Sequence, residues 1–168
     1  EALMRPSTEN IKTPMELLAL ARSQSKLQQV ERLTMFKSME AFTKTNLVNK
    51  EAKIFINSIA NQHLTLEESR EFEKSYGKYM KRVVIEFTEE EHEEKDRLKK
   101  KQEMIENWGA QIALDDFGEG YSNDSRLLKL EPDYVKIDYS LITGIHQDAR
   151  KRSLVKNILR FTKHHGIK

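Results

Sequence analysis

Two adjacent carboxylates, Asp115 and Asp116, close a short apolar run, Ile112-Ala113-Leu114. They open a glycine-bearing loop, Phe117-Gly118-Glu119-Gly120-Tyr121-Ser122, and a second apolar run, Tyr134-Val135-Lys136-Ile137-Asp138, carries a lysine near its end. Paired aspartates at one strand end and a lysine at the next suggest a divalent-metal site. Three other strand-like runs also end in oxygen donors, at Glu1, Asn57 and Glu86. The steps from 57 to 86 and from 86 to 115 are 29 residues each, one strand–helix unit. Crowded carboxylates repel one another unless a cation intervenes. Hard oxygen ligands, in a chain with no Cys, suit Mg²⁺ or Mn²⁺. Asp116 is placed to hold a second ion. Two such ions about 3.5–4 Å apart can activate a water and stabilise the leaving oxygen of a phosphodiester. Lys136 would orient that water or stabilise phosphate charge. One carboxylate at a strand end is usually a turn former or a helix cap. Five successive strand ends carrying Glu, Asn, Asp or Lys after an apolar run are much harder to assign to turns.

The elements that must position these residues alternate along the chain. Residues 1–6, EALMRP, read as the end of a strand. Thr13 and Pro14 suit an N-cap and first turn, and Leu27, Val30, Leu33, Phe36 and Met39 space an amphipathic helix over 25–43. A strand is predicted at 53–57, then a helix from the capping-box-like Thr65-Leu66-Glu67-Glu68 to about Tyr79. Strands follow at 82–87, 110–116 and 134–138, separated by helices over 88–108 and 122–130, with a last helix over 148–165. The strands are short and near-continuously apolar, as parallel strands covered on both faces should be. In a parallel βα barrel all C-terminal strand ends lie on one rim, where active sites are built. The candidate residues would converge there.

Bulk properties narrow the class. The chain has 168 residues, enough for one domain, and a formal charge of +2 from 29 basic and 27 acidic residues. That balance does not point to a nucleic-acid polymer or a membrane surface. No apolar run approaches the roughly 18 residues of a membrane span, and no signal-peptide pattern opens the chain. Absence of Cys excludes disulfides and thiolate chemistry. A cytoplasmic domain is expected. The acidic-then-basic run 89–101 reads as a solvated helix face, and the five histidines lack ligand spacing and read as surface residues.

Taken together, EALMR at 1–5, FIN at 55–57, EFTE at 86–89, ALDDFGEGYS at 113–122 and VKID at 135–138 resemble the EAL-domain cyclic di-GMP phosphodiesterases in content, order and spacing. The resemblance covers essentially the whole chain. It implies an α/β fold, a TIM-barrel-like (β/α)8 EAL domain. About five strands would lie within 1–168, with the domain incomplete at both ends: the start of the first strand and the last two strands fall outside. It also implies hydrolysis of cyclic di-GMP to linear pGpG by a water activated by one or two Mg²⁺ or Mn²⁺ ions. By position, Glu1, Asn57, Glu86 and Asp115 would be metal ligands, and Asp116 would bind the second ion. Lys136 would contact the attacking water, with Glu86 and Asp115 beside it in catalysis. Leu3 and Arg5 would meet the nucleotide, and Asp138 would support that site. Glu89 would tether the loop of Gly118, Glu119, Gly120, Tyr121 and Ser122. A homodimer is expected. Glu119 stands where the family usually has a small residue or Thr, and Pro6-Ser7 replace an aromatic and His after the first motif. These departures set a second reading beside the first, a catalytically degraded EAL domain acting as a cyclic di-GMP receptor or regulatory interaction module. A scaffold that binds no nucleotide is a third.

Overall fold

The computed structural model describes residues 1–59, 61–87, 95–118 and 123–168. Four strands, β1 (Ile54–Asn57), β2 (Val83–Phe87), β3 (Gln111–Phe117) and β4 (Tyr134–Ile137), form one sheet in the order β1-β2-β3-β4. Every neighbouring pair is parallel. Seven helices accompany them among the described residues: α1 (Pro14–Ser23), α2 (Leu27–Thr43), α3 (Leu66–Tyr76), α4 (Lys95–Trp108), α5 (Asn123–Leu130), α6 (Tyr139–Ile142) and α7 (Ala149–His164). All five residues of β2 are buried, as expected of a central strand covered on both faces. None of the described helices is long and apolar enough to cross a membrane.

Helix starts follow side-chain chemistry. Thr13 and Thr65 each complete a capping box, with Glu16 and Glu68 reaching back to the cap backbone. Glu68 also accepts from Gln28 Nε2 at 2.7 Å and pairs with Arg32 Nε at 3.2 Å, so the cap of α3 docks on α2. Replacing Thr65 with Ala is expected to lower stability by about 1 kcal/mol, read as a lower urea midpoint at unchanged slope. Between α2, α3 and α4, Phe72 is fully buried, with ring centroids 5.2 Å from Phe36, 5.3 Å from Tyr76 and 5.1 Å from Trp108.

Several expectations need correction. Residues 1–6 form no strand; Ala2 makes one isolated parallel bridge to Ile56, its N–H donating to Phe55 O at 2.8 Å. Pro6 has no N–H to extend a ladder, and bends follow it. The sheet therefore has four strands rather than five. Helix α3 stops at Tyr76, and residues Gly77–Arg82 wind as 3₁₀ turns. The Arg82 guanidinium there donates to the carbonyls of Leu47, Val48 and Ala52, long-range bonds that propensity does not foresee. The 25–43 helix begins at Leu27, because Ser25 takes a φ of +55° between α1 and α2. The run 89–101 is not uniformly solvated: Lys99 and Glu103 make an exposed pair at 3.9 Å, but Lys101 is 1% exposed. Residues 88–94 of the long predicted helix lie outside the described residues.

Candidate metal centre

Strand register brings the candidate ligands together. Asn57 on β1 is the register partner of Glu86 on β2, and Glu86 is the partner of Ala113 on β3. Side chains alternate between faces along a strand. Asn57, Glu86 and Asp115, two residues beyond Ala113, therefore share the face away from the helices. Between Leu114↔Val135 and Phe117↔Ile137, β3 spends two residues, Asp115 and Asp116, where β4 spends one, Lys136. That is a β-bulge, a device common beside active sites because it re-aims a side chain. Asp116 carries it in the left-handed region at φ +54°, and its N–H donates to Asp115 Oδ1 at 3.0 Å. The adjacency of the two aspartates is thus bought with backbone strain of about 1–3 kcal/mol.

One oxygen from each of Glu1, Glu86 and Asp115 lies within 4.8 Å of the others. Lys136 Nζ stands among them, 2.8 Å from Glu86 Oε1, 2.8 Å from Asp115 Oδ2 and 3.5 Å from Glu1 Oε2. Asn57 Nδ2 donates to Glu1 Oε1 at 3.2 Å. Glu86 is 0% exposed, and neither carboxylate oxygen meets a donor with hydrogen-bond geometry among the described residues. The contact with Lys136 is thus an ion pair without good hydrogen-bond angles. Lys136 gives this buried carboxylate one positive charge at Oε1, and Oε2 has no hydrogen-bond partner among the described residues. Three carboxylates against one ammonium leave a surplus of two negative charges, which a divalent ion would neutralise. The all-oxygen donor set suits Mg²⁺ or Mn²⁺.

Burial pushes the Glu86 carboxyl above its ordinary range; Lys136 pulls it back, while Asp115 and Glu1 add to the rise. Burial alone would lower the Lys136 ammonium, but the hydrogen bond to Asp115 and the charges of Glu86 and Asp115 outweigh it and hold its pKa above the ordinary value. Lys136 is therefore a permanent cation at neutral pH, able to donate and to stabilise negative charge but not to take a proton.

The other candidates sit elsewhere. Asp116 is not among the carboxylates that converge within 4.8 Å. Asp138 caps α6, accepting from Ser140 N at 2.7 Å, and that hydrogen bonding lowers its pKa. Leu3 is 53% exposed and Arg5 is exposed, its Nη1 donating to Met4 O at 3.1 Å. Glu89, Glu119, Gly120, Tyr121 and Ser122 lie outside the described residues. At the loop's start, Gly118 has φ +117°, and a Cβ there would collide with Leu141 Cδ1. Leu141 was not foreseen, since nothing in sequence spacing places it against Gly118. Gly118→Ala is expected to cost about 1–3 kcal/mol. Adding Leu141→Ala should recover the steric part alone in a double-mutant cycle by denaturant melts.

A model of the EAL domain matches residues 1–168. Over 95 residues, 56% of the chain, the sequence is 34% identical to the probable cyclic di-GMP phosphodiesterase PdeG of Escherichia coli (strain K12), 19% of whose length it spans. The fold is similar to a standalone EAL protein from Vibrio cholerae O395 in its c-di-GMP-bound form, with TM-score 0.76 and 26% identity, covering 95% of this chain and 68% of that one. It is also similar to Klebsiella pneumoniae BlrP1 in a calcium/cy-diGMP complex, with TM-score 0.75 and 25% identity, covering 94% of this chain and 40% of that one. The chain thus spans about a fifth of the length of that curated relative.

Proposed function

Because the chain belongs to the EAL domain family, we propose that it forms the core of a metal-dependent phosphodiesterase that hydrolyses cyclic di-GMP to linear pGpG. The observation that carries this reading is Glu86, fully buried, facing Glu1 and Asp115, with Oε1 ion-paired to Lys136 and Oε2 without a hydrogen-bond partner among the described residues. Glu1, Asn57, Glu86 and Asp115 would hold one Mg²⁺ or Mn²⁺, and Asp116 a second. Such ions, when bound, lower the pKa of a water and stabilise the leaving oxygen. The residues of the chain do the rest. Lys136, kept protonated by Asp115 and Glu86, orients the incoming water by donation and stabilises charge on the phosphate. The bulge at Asp115 and Asp116 sets the angle from which Asp115 faces the cluster. Leu3 and Arg5, exposed on the segment that begins with Glu1, would meet the nucleotide. The same reading has the protein act as a cytoplasmic homodimer, which light scattering of the full-length protein checks.

The test is product formation. Full-length protein is incubated with cyclic di-GMP and Mg²⁺, Mn²⁺ or EDTA, and the nucleotides are separated by chromatography. Metal-dependent pGpG is expected. Tight binding of cyclic di-GMP with no pGpG in either metal would overturn the enzyme and leave the receptor, the reading that Glu119 in the loop favours.

A further inference from the structure

Behind the rim, in the helix layer, lies a buried ion pair that the proposed chemistry does not use. Glu31 of α2 is 2% exposed and Lys101 of α4 is 1% exposed. Lys101 Nζ donates to Glu31 Oε1 at 2.9 Å. Both charges are also committed to the backbone that leaves β1. Glu31 accepts from Ser58 Oγ at 2.5 Å and from Ile59 N at 2.8 Å. Lys101 donates to Ile59 O and Gln62 O, each at 2.6 Å. Its ammonium also lies 5.4 Å from the Phe87 ring centroid.

The placement matters more than the pair. Ser58 directly follows Asn57, and Phe87 directly follows Glu86. Successive strand residues point to opposite faces, so the pair grips the next residue of each strand from the side opposite the metal face. Ser58 N also donates to Glu86 O at 3.0 Å, which joins the two strand ends. A buried ion pair is weak evidence for stability, because desolvation offsets its attraction. It does impose a single geometry, since every polar atom in it has an assigned partner. We propose that Glu31 and Lys101 are positioning residues, which hold the β1 exit through Ser58 and Ile59 and so set the Asn57 side chain for metal binding.

This inference rests on the metal reading above, and its test separates the two. Mn²⁺ affinity of the full-length protein is measured without nucleotide, by electron paramagnetic resonance of free Mn²⁺. Wild type is compared with Asn57→Ala, Ser58→Ala, Glu31→Gln and Lys101→Met, each with a thermal melt. Outer-shell partners of metal ligands are typically worth about 10–100-fold in affinity. Glu31→Gln and Lys101→Met are expected to weaken Mn²⁺ by that range and Ser58→Ala by its lower end, with kcat recovering at saturating Mn²⁺. Ser58→Ala removes one hydrogen bond and leaves the charges paired, so it reports even where the charge variants do not fold. A lower melting temperature with Mn²⁺ affinity within about twofold of wild type, beside a clear loss in Asn57→Ala, would reduce the pair to a structural element and overturn the proposal alone. No Mn²⁺ binding by wild type would overturn both readings.

Discussion

Glu86→Gln is expected to remove metal-dependent turnover by at least about 10³-fold, since a direct ligand should matter more than the roughly 10–100-fold of an outer-shell partner. The same change should not weaken the metal-free fold. Glu86 is fully buried and its oxygens lack hydrogen-bond donors among the described residues. Burial raises its pKa in the folded chain. An acid whose folded pKa lies above its unfolded value stabilises most when protonated. Stability therefore falls as pH rises from the ordinary carboxylate value, about 4.3, through the raised one. An amide of the same shape removes that fall. In EDTA, urea melts should find the variant at least as stable as wild type at pH 7, without the decline across that window. Turnover lost together with a destabilised metal-free fold would count against a metal-binding role for Glu86. It would point to a structural ion pair with Lys136 instead.

Lys136→Met is expected to lower kcat by about 10²–10³-fold, the range seen when one preorganised donor to a developing charge is removed. Its effect on stability has the opposite sign to that of Glu86→Gln. The ammonium is 2.8 Å from both Glu86 and Asp115, and its removal leaves three carboxylates facing one another. The metal-free variant should melt lower than wild type, and Mn²⁺ should close much of the gap by neutralising the same cluster. The pH dependence also has a definite sign. A cation whose folded pKa is raised contributes stability fully below its unfolded value, about 10.4 for lysine, and loses it as pH rises through the folded value. Wild type should therefore carry an alkaline loss of stability that Lys136→Met lacks. A kcat falling between pH 7 and 9 in wild type but not in the variant would instead make Lys136 a titrating base.

Much of this arrangement is legible in the sequence. Asn57, Glu86 and Asp115 recur once per strand–helix unit, and parallel pairing turns that period into neighbours on one rim. The caps at Thr13 and Thr65 were legible for a local reason, because each box closes within four residues. What escaped depends on longer-range geometry. Asp115 joins the cluster and Asp116 does not, a distinction that turns on one backbone angle and on pairing with β4. Residues 1–6 looked like a strand by motif, yet strands form only where successive partners exist. Lys101 reads as solvated by its charge, and its partner Glu31 goes unmarked among the polar residues of α2. Their spacing held the contrary signal: Glu31 falls in line with Leu27 and Met35, and Lys101 with Leu98 and Ile105, on the stripes that pack inward.

The bulge at Asp115 and Asp116 has a topological meaning apart from its chemistry. It is a phase shift in the strand. With strict alternation, Phe117 would follow Asp115 onto the ligand face; the extra residue returns it to the side of Leu114, where it is buried in the core and lines a groove with Leu127. The polypeptide thereby changes parity once, just before the strand ends at Phe117 and the glycine loop begins. Deleting one of the two aspartates would restore plain alternation: Phe117 would stay in the core and one carboxylate on the ligand face, with the bulge and the second carboxylate lost. The acidic pair is thus a frame marker as well as a source of ligands: it seats two carboxylates where a regular strand has room for one.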